Sequence, residues 1–276
     1  MNAWIPAILV ISVAAAGIIL GICLNRTYRT AITGAFAAVG LIALLLTAHL
    51  LHLWTFYGGL DWIAASRSKY ILIGFAVCLG LVSPLKYLHS TWKQASTIVV
   101  LAILILLFVG IPFIGPAVNH HEIQSLPTQF DRRGLCLQSR PYTCGPAAAV
   151  TALRQLGLTA SEARIAEAAG TTPLLGTCSW DLYQALNHLY PQEDLQCRYG
   201  RFENIDQLPD DSPTLAVMRE GFMLDHCVTI LKITRTDVLF ADPSSGLCSM
   251  SKPAFEAAWR HTGIVLSRPR FFSIVP

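Results

Sequence analysis

The chain has 276 residues, 53% of them hydrophobic and only 13% charged, with a net charge of +3 at neutral pH. That balance is too apolar for a single soluble domain, and the small charge with no basic run argues against a nucleic-acid binder. No zinc-finger spacing and no GxxxxGK[ST] phosphate loop occurs, which leaves no sign of a metal-built module or of an ATP motor of that type.

The apolar excess lies before about Asn119. Residues 1–118 are therefore expected to form a membrane region, 119–135 a linker, and 136–276 one soluble domain, long enough for a core of its own. Trp4 to Leu24 is an unbroken apolar run. At about 1.5 Å per residue it crosses a hydrocarbon layer of about 30 Å. A cleavable signal peptide is the rival reading, but the positive start is missing and further spans follow directly, so an anchor is favoured. The next runs are Ala31 to Trp54, Tyr70 to Leu88 and Ile98 to Val118, giving four expected helices. Trp54, Tyr57 and Trp62 read as interfacial aromatics, and Pro84 is expected to bend the end of the third helix. His49 and His52, three apart on one helical face, read as interfacial or inter-helix residues, with metal or haem ligation as the alternative.

Arg26, Arg29, Lys86 and Lys93 flank one side of the membrane, while Arg67 and Lys69 flank the other. The positive-inside rule then puts the first and third loops inside and both termini outside. Arg132 and Arg133 argue the other way from the edge of the rule's reach. The expected setting is a multi-pass protein of a bacterial inner membrane, with the soluble domain extracytoplasmic.

In the soluble part, Cys144-Gly145-Pro146 opens an apolar helix that stops at Gly157. Gly145 is expected to allow a tight turn there. LTASEARIAEAAG gives a second helix, with Thr159 and Glu162 spaced as a capping box and Gly170 as the stop. A third helix is expected from Ser179 to Leu189. The period then becomes strand-like at Leu195–Tyr199, Thr214–Met218, His226–Ile233, Val238–Asp242 and Gly263–Ser267, with a short helix over Lys252–Trp259. Helices followed by an antiparallel sheet make an α+β domain behind an all-α membrane region.

A thiol at a helix N-terminus meets free N–H groups and the positive end of the dipole, which favour the nucleophilic thiolate. A buried structural cysteine is the plainer alternative for Cys144. A thiol nucleophile also needs a base and a group to orient it. His226 starts one strand and Asp242 ends the next. If Thr234, Arg235 and Thr236 form a three-residue hairpin loop, Val228 faces Asp242 and His226 becomes its diagonal neighbour on the same face. A loop with an even count would put them on opposite faces. Asp225 adjoins His226, but successive strand residues point oppositely, so it is the poorer orienter. His188 and His261 read as helix-surface and loop residues, and His120 and His121 as linker residues. Gln138, six residues before Cys144, can aim an amide NH2 at an oxyanion alongside the Cys144 backbone N–H.

These elements, in this order, resemble the C39 family of papain-like cysteine peptidases. The resemblance rests on Gln138, five residues, then Cys144-Gly145; on Gly176-Thr177 opening a helix; on His226; on Asp242-Pro243 with Gly246; and on Phe255 and Trp259 with three residues between them. It covers nearly everything after Cys136. It implies a papain-like fold in which Cys144 is the nucleophile, His226 the base, Asp242 its orienter and Gln138 the oxyanion donor. It also implies peptide hydrolysis through a thioester with no cofactor and no metal. Expected partners are a peptide or protein substrate, the lipid bilayer, and as a candidate a separate transporter or other membrane protein; nucleic acid is not among them. A papain-like acyl or peptidyl transferase and a catalytically inactive peptide-binding module are the alternatives. The five other thiols of the domain, Cys136, Cys178, Cys197, Cys227 and Cys248, leave disulfides open.

Overall fold

Long apolar runs leave the backbone no partner but itself. In the computed structural model, which describes residues 4–51, 66–221 and 224–268, they are helices. The chain divides into two units, Met1–Val118 and Asn119–Pro276.

The first unit contains α1 (Trp4–Leu24), α2 (Tyr28–Leu51), α3 (Ser68–Val82) and α4 (Thr91–Ile105). Three stretches, Tyr28–Leu45, Ser68–Tyr87 and Thr91–Val118, are long and apolar enough to cross a membrane, and Ile8–Leu24 within α1 is apolar but shorter. α3 gives way after Val82 to a 3-10 turn over Leu85–Tyr87, with Pro84 at the junction. The last stretch starts earlier than hydropathy suggests, at Thr91, with a polar first turn whose Gln94 N–H bonds the Ser90 carbonyl at 3.0 Å. Pro112 is taken up within a π-helical segment, Leu106–Ile114. A proline deletes one N–H and collides with the carbonyl four residues back, and the wider π turn gives the ring room. Small residues let the helices approach. A Cβ on Gly17 would lie 2.8 Å from the Phe75 carbonyl oxygen, and one on Gly80 would lie 2.8 Å from Cβ of Ala38. His52, Trp54, Tyr57 and Trp62 lie outside the described residues.

In the second unit the expected linker is partly ordered. It holds α6 (His120–Gln124; α5 being Gly115–Val118 of the first unit) and β1 (Gln129–Phe130), which pairs with β2 (Cys136–Leu137). Ile123 and Leu126 bury against Ala163 and Ala166, which polar composition alone conceals. The helices α7 (Cys144–Gln155), α8 (Glu162–Ala168) and α9 (Ser179–Leu189) follow. α7 ends with Gly157 at φ +72°, and the Leu158 and Gly157 N–H groups bond back to the carbonyls of Leu153 and Arg154. Gly170 closes α8 in the same way. The Thr159–Glu162 capping box does not form. Ser161 is the cap, its hydroxyl accepting from Arg164 N–H at 3.5 Å, and Glu162 is freed for another use.

The sheet then forms from β3 (Gln196–Arg201), β4 (Thr214–Gly221), β5 (Leu224–Ile233), β6 (Asp237–Asp242), β7 (Gly246–Ser251) and β8 (Trp259–Ser267). All pairings are antiparallel in the order β3-β8-β4-β5-β6-β7. The strand β7 has no counterpart among the expected strands, and Trp259, expected at the end of a helix, begins β8 because α10 (Lys252–Ala258) stops one residue earlier. His261 is likewise a strand residue, at φ +56°, and not part of a loop. One core lies between α7, α9 and the sheet; a second gathers Phe202, Phe240, Phe255 and Trp259. Phe255 is fully buried. Phe255→Ala is expected to cost about 3–5 kcal/mol, read as a lower denaturation midpoint by tryptophan fluorescence.

Candidate active site

Cys144 is the first residue of α7, half-buried, with Thr143 as the residue before the helix. Gly145 and Pro146 are already helical, so Gly145 supplies no special turn. Its role is close approach: a Cβ there would stand 3.3 Å from Cβ of Thr177 and 3.4 Å from Leu182. The glycine lets Thr177 lie directly against the first turn of α7. α7 is fastened to β5 where the Thr229 hydroxyl donates to the Ala148 carbonyl at 2.7 Å.

The same strand carries His226. Its Nε2 lies 2.9 Å from Asp242 Oδ1, and Cys144 is near enough to the ring to act on its charge. The β5–β6 turn that sets this up differs from the expected one. Ile233 pairs with Val238, so the loop has four residues, 234–237. Taken alone, that even count would separate His226 from Asp242. A one-residue bulge at Leu231 shifts the register once more, so that Thr229 faces Ala241 and Val228 falls opposite Asp242. The two errors of parity cancel.

Asp242 Oδ1 also accepts the backbone N–H and the hydroxyl of Ser244, each at 2.7 Å. Sequence reasoning passes over Ser244. The signal is present in Asp-Pro-Ser, where an aspartate caps the N–H two residues on. Burial alone would raise the Asp242 carboxyl, but His226 and Ser244 outweigh it and hold it well below the usual range. Burial alone would lower the His226 imidazole. Its hydrogen bonds to Asp242 and Cys144, with the charge on both, prevail and push it up to about 10. His226 is 13% and Asp242 20% exposed at the side chain, so these interactions are little screened by water. Asp225 instead pairs with Arg260 at 2.8 Å.

Gln138 is drawn to the same place by its backbone, whose N–H donates to the Pro243 carbonyl at 2.8 Å. Its side-chain carbonyl oxygen is buried and bonds nothing among the described residues. None of the eight cysteines, all of them among the described residues, is in a disulfide. Cys136 and Cys197 are pushed up to about 12, in both cases chiefly by burial, and burial also pushes up Cys227. Among the described residues no cluster of three or more His, Cys, Asp or Glu could hold a metal ion.

The sequence profile of the peptidase C39 family matches residues 132–270, half of the chain. The chain belongs to the peptidase C39 family. An uncharacterised protein of Methanothermobacter thermautotrophicus is 29% identical over 148 residues, covering 54% of this chain and 98% of that protein. Another from Methanothermobacter marburgensis is 31% identical over 131 residues, covering 48% and 86%. Among solved structures, the peptidase domain of Streptococcus ComA, a bi-functional ABC transporter involved in a quorum sensing pathway, is 21% identical. That likeness covers 48% of this chain and 96% of that domain at a TM-score of 0.41. A double glycine motif protease from an AMS/PCAT transporter, in complex with the leader peptide, is 14% identical, covering 51% and 91% at a TM-score of 0.39.

The C39 unit is thus a papain-like cysteine peptidase domain. Ser244 is the partner of Asp242 with the least sequence signal and a measurable part. Ser244→Ala keeps the backbone N–H on Asp242 and removes the hydroxyl. It is expected to lower kcat/KM about threefold to tenfold, the rate equivalent of one hydrogen bond.

Proposed function

We propose that the chain is a membrane-anchored cysteine peptidase with Cys144 as nucleophile, His226 as acid and base, Asp242 as orienter and Gln138 as oxyanion donor. The observation that carries the reading is the ring of His226, held by Asp242 at 2.9 Å on the strand fastened to the Cys144 helix, with Cys144 near enough to raise its pKa. An imidazolium beside a sulfur at a helix start favours the thiolate. The thiolate attacks the peptide carbonyl carbon, and the oxyanion that forms is met by the Cys144 N–H and the Gln138 amide. As the C–N bond breaks, His226 gives its proton to the leaving amine, and a thioester remains. Neutral His226 then takes a proton from water, hydroxide attacks the thioester, and the thiolate leaves to restore the ion pair.

Anchoring by the first unit is supported by three helices of spanning length among its described residues. An extracytoplasmic peptidase unit is supported by Arg26, Arg29, Lys86 and Lys93 flanking the opposite side. The substrate is a peptide or protein. The test compares protein termini in cells carrying wild type or Cys144→Ala: precursors that persist only in the variant support hydrolysis, and identical termini count against it. In the purified full chain near neutral pH, iodoacetamide is expected to label Cys144 well ahead of Cys136, Cys197 and Cys227. Equal labelling would favour a peptide-binding module without catalysis.

A further inference from the structure

Glu162 is the only charged side chain among the buried described residues, and it is fully buried. The proposed chemistry does not use it. A carboxylate at the start of a short helix interacts well with the helix dipole while exposed, so that position gives no reason for burial. Burying a carboxylate is costly unless it is well bonded. Its Oε1 accepts both the backbone N–H of Ser139 at 3.0 Å and the Ser139 hydroxyl at 2.7 Å, while Oε2 bonds nothing among the described residues. The backbone N–H of Glu162 is itself held by the Thr128 hydroxyl at 3.0 Å, which anchors this end of α8.

The consequence falls on the preceding residue. The Ser139 N–H belongs to the peptide plane on the C-terminal side of Gln138. The plane on its N-terminal side is held by the Gln138 N–H on the Pro243 carbonyl. With both planes fixed, the two soft torsions of Gln138 are fixed, and so is the direction in which its side chain leaves the backbone. We propose that Glu162 is a positioning residue for the oxyanion side of the cleft, acting through Ser139 on Gln138. This inference rests on the role given to Gln138 above. The buried carboxylate is kept because it aims the amide, at a cost in desolvation.

The test separates two reactions of the same sulfur in the full-length protein in detergent. Acetylation by p-nitrophenyl acetate passes through a tetrahedral oxyanion; alkylation by iodoacetamide is a direct displacement and does not. Both are read at Cys144 by peptide mass mapping. Glu162→Ala is expected to slow acetylation about 10-fold to 100-fold and to leave alkylation within about twofold. Glu162→Gln, which keeps an acceptor for Ser139, is expected to restore acetylation to within about threefold of wild type. In a Gln138→Ala background, Glu162→Ala is expected to slow acetylation by no more than about a further twofold, because the two act as one unit. Where Glu162→Ala does not fold, Glu162→Asp, which retracts the carboxylate by one methylene, carries the same comparison. Additive losses, or alkylation falling in step with acetylation, overturn the proposal. If Gln138→Ala leaves acetylation unchanged, the oxyanion role of Gln138 itself fails. If Gln138→Ala slows acetylation but the Glu162 variants do not, only the positioning role fails.

Discussion

Cys144→Ser is expected to fold normally and to lose peptide hydrolysis by at least about 10⁴-fold. Serine differs by one atom and sits as well at the head of α7, so the denaturation midpoint should not move. The chemistry does move. A thiol can give its proton to His226 before substrate arrives, whereas an alcohol must be deprotonated by a neutral base during attack. His226, pushed up to about 10, is already protonated near neutral pH and cannot take that proton. Part of that shift comes from Cys144 itself, so the serine variant's imidazole will titrate lower. A small residual rate that rises with pH is therefore the expected signature. Initial rates on a peptide identified by the terminus comparison, taken from about pH 6 to 10, measure this. A serine variant within about tenfold of wild type would mean that the sulfur is not the nucleophile.

Much of this is legible in the sequence because it is local. Cys-Gly-Pro followed by alanines and a closing glycine specifies a helix and its first residue, and α7 runs from Cys144 as expected. The third helix, Ser179–Leu189, is also readable from its apolar spacing. Features that depend on distant partners are not. Glu162 looks like half of a capping box, because the sequence shows a spacing of three and does not show Ser139 approaching from another loop. His120 to Gln124 looks like linker because only Ile123 among them is buried, and its partners lie about forty residues on. The strand Gly246–Ser251 has a small, weakly alternating sequence, GLCSMS, and exists because β6 offers it a complete ladder.

The His226–Asp242 pairing shows how a correct expectation can rest on a wrong intermediate. The three-residue loop does not exist; the loop has four residues, and the bulge at Leu231 supplies the missing step. Bulges leave little trace in a single sequence, since the extra residue here is an ordinary leucine within an apolar strand. The resemblance to the family carries the pairing of those two residues more securely than turn geometry could. Gly145 makes the same point from the other side. In sequence it reads as a turn residue, but its lack of a side chain serves the approach of Thr177 to the first turn of α7.

Asp242→Ala is expected to lower kcat/KM about 10³-fold near neutral pH and to draw in the alkaline limb of the pH profile. Two of the effects that raise His226, the hydrogen bond and the charge of Asp242, vanish together, while the burial that lowers it stays. With His226 as the proposed proton donor to the leaving amine, the imidazolium persists in wild type until about pH 10, so activity should fall only above that point. In the variant the fall should begin much nearer neutrality. Asp242→Asn keeps an acceptor for Ser244 and a contact with the ring but no charge, and should lie between the two. The same linkage gives the stability change its sign. A raised imidazole contributes stability that is complete below about pH 6.5. That stability is lost as pH rises through about 10. The lowered Asp242 carboxyl contributes stability above the ordinary carboxylate range and loses it as pH falls through its own lower value. The wild-type advantage in denaturation midpoint over Asp242→Ala should therefore be widest between mild acid and neutrality and shrink toward both extremes. An alkaline limb that stays near pH 10 in Asp242→Ala would mean that Cys144 alone sets the state of the ring and that Asp242 does no more than shape the turn.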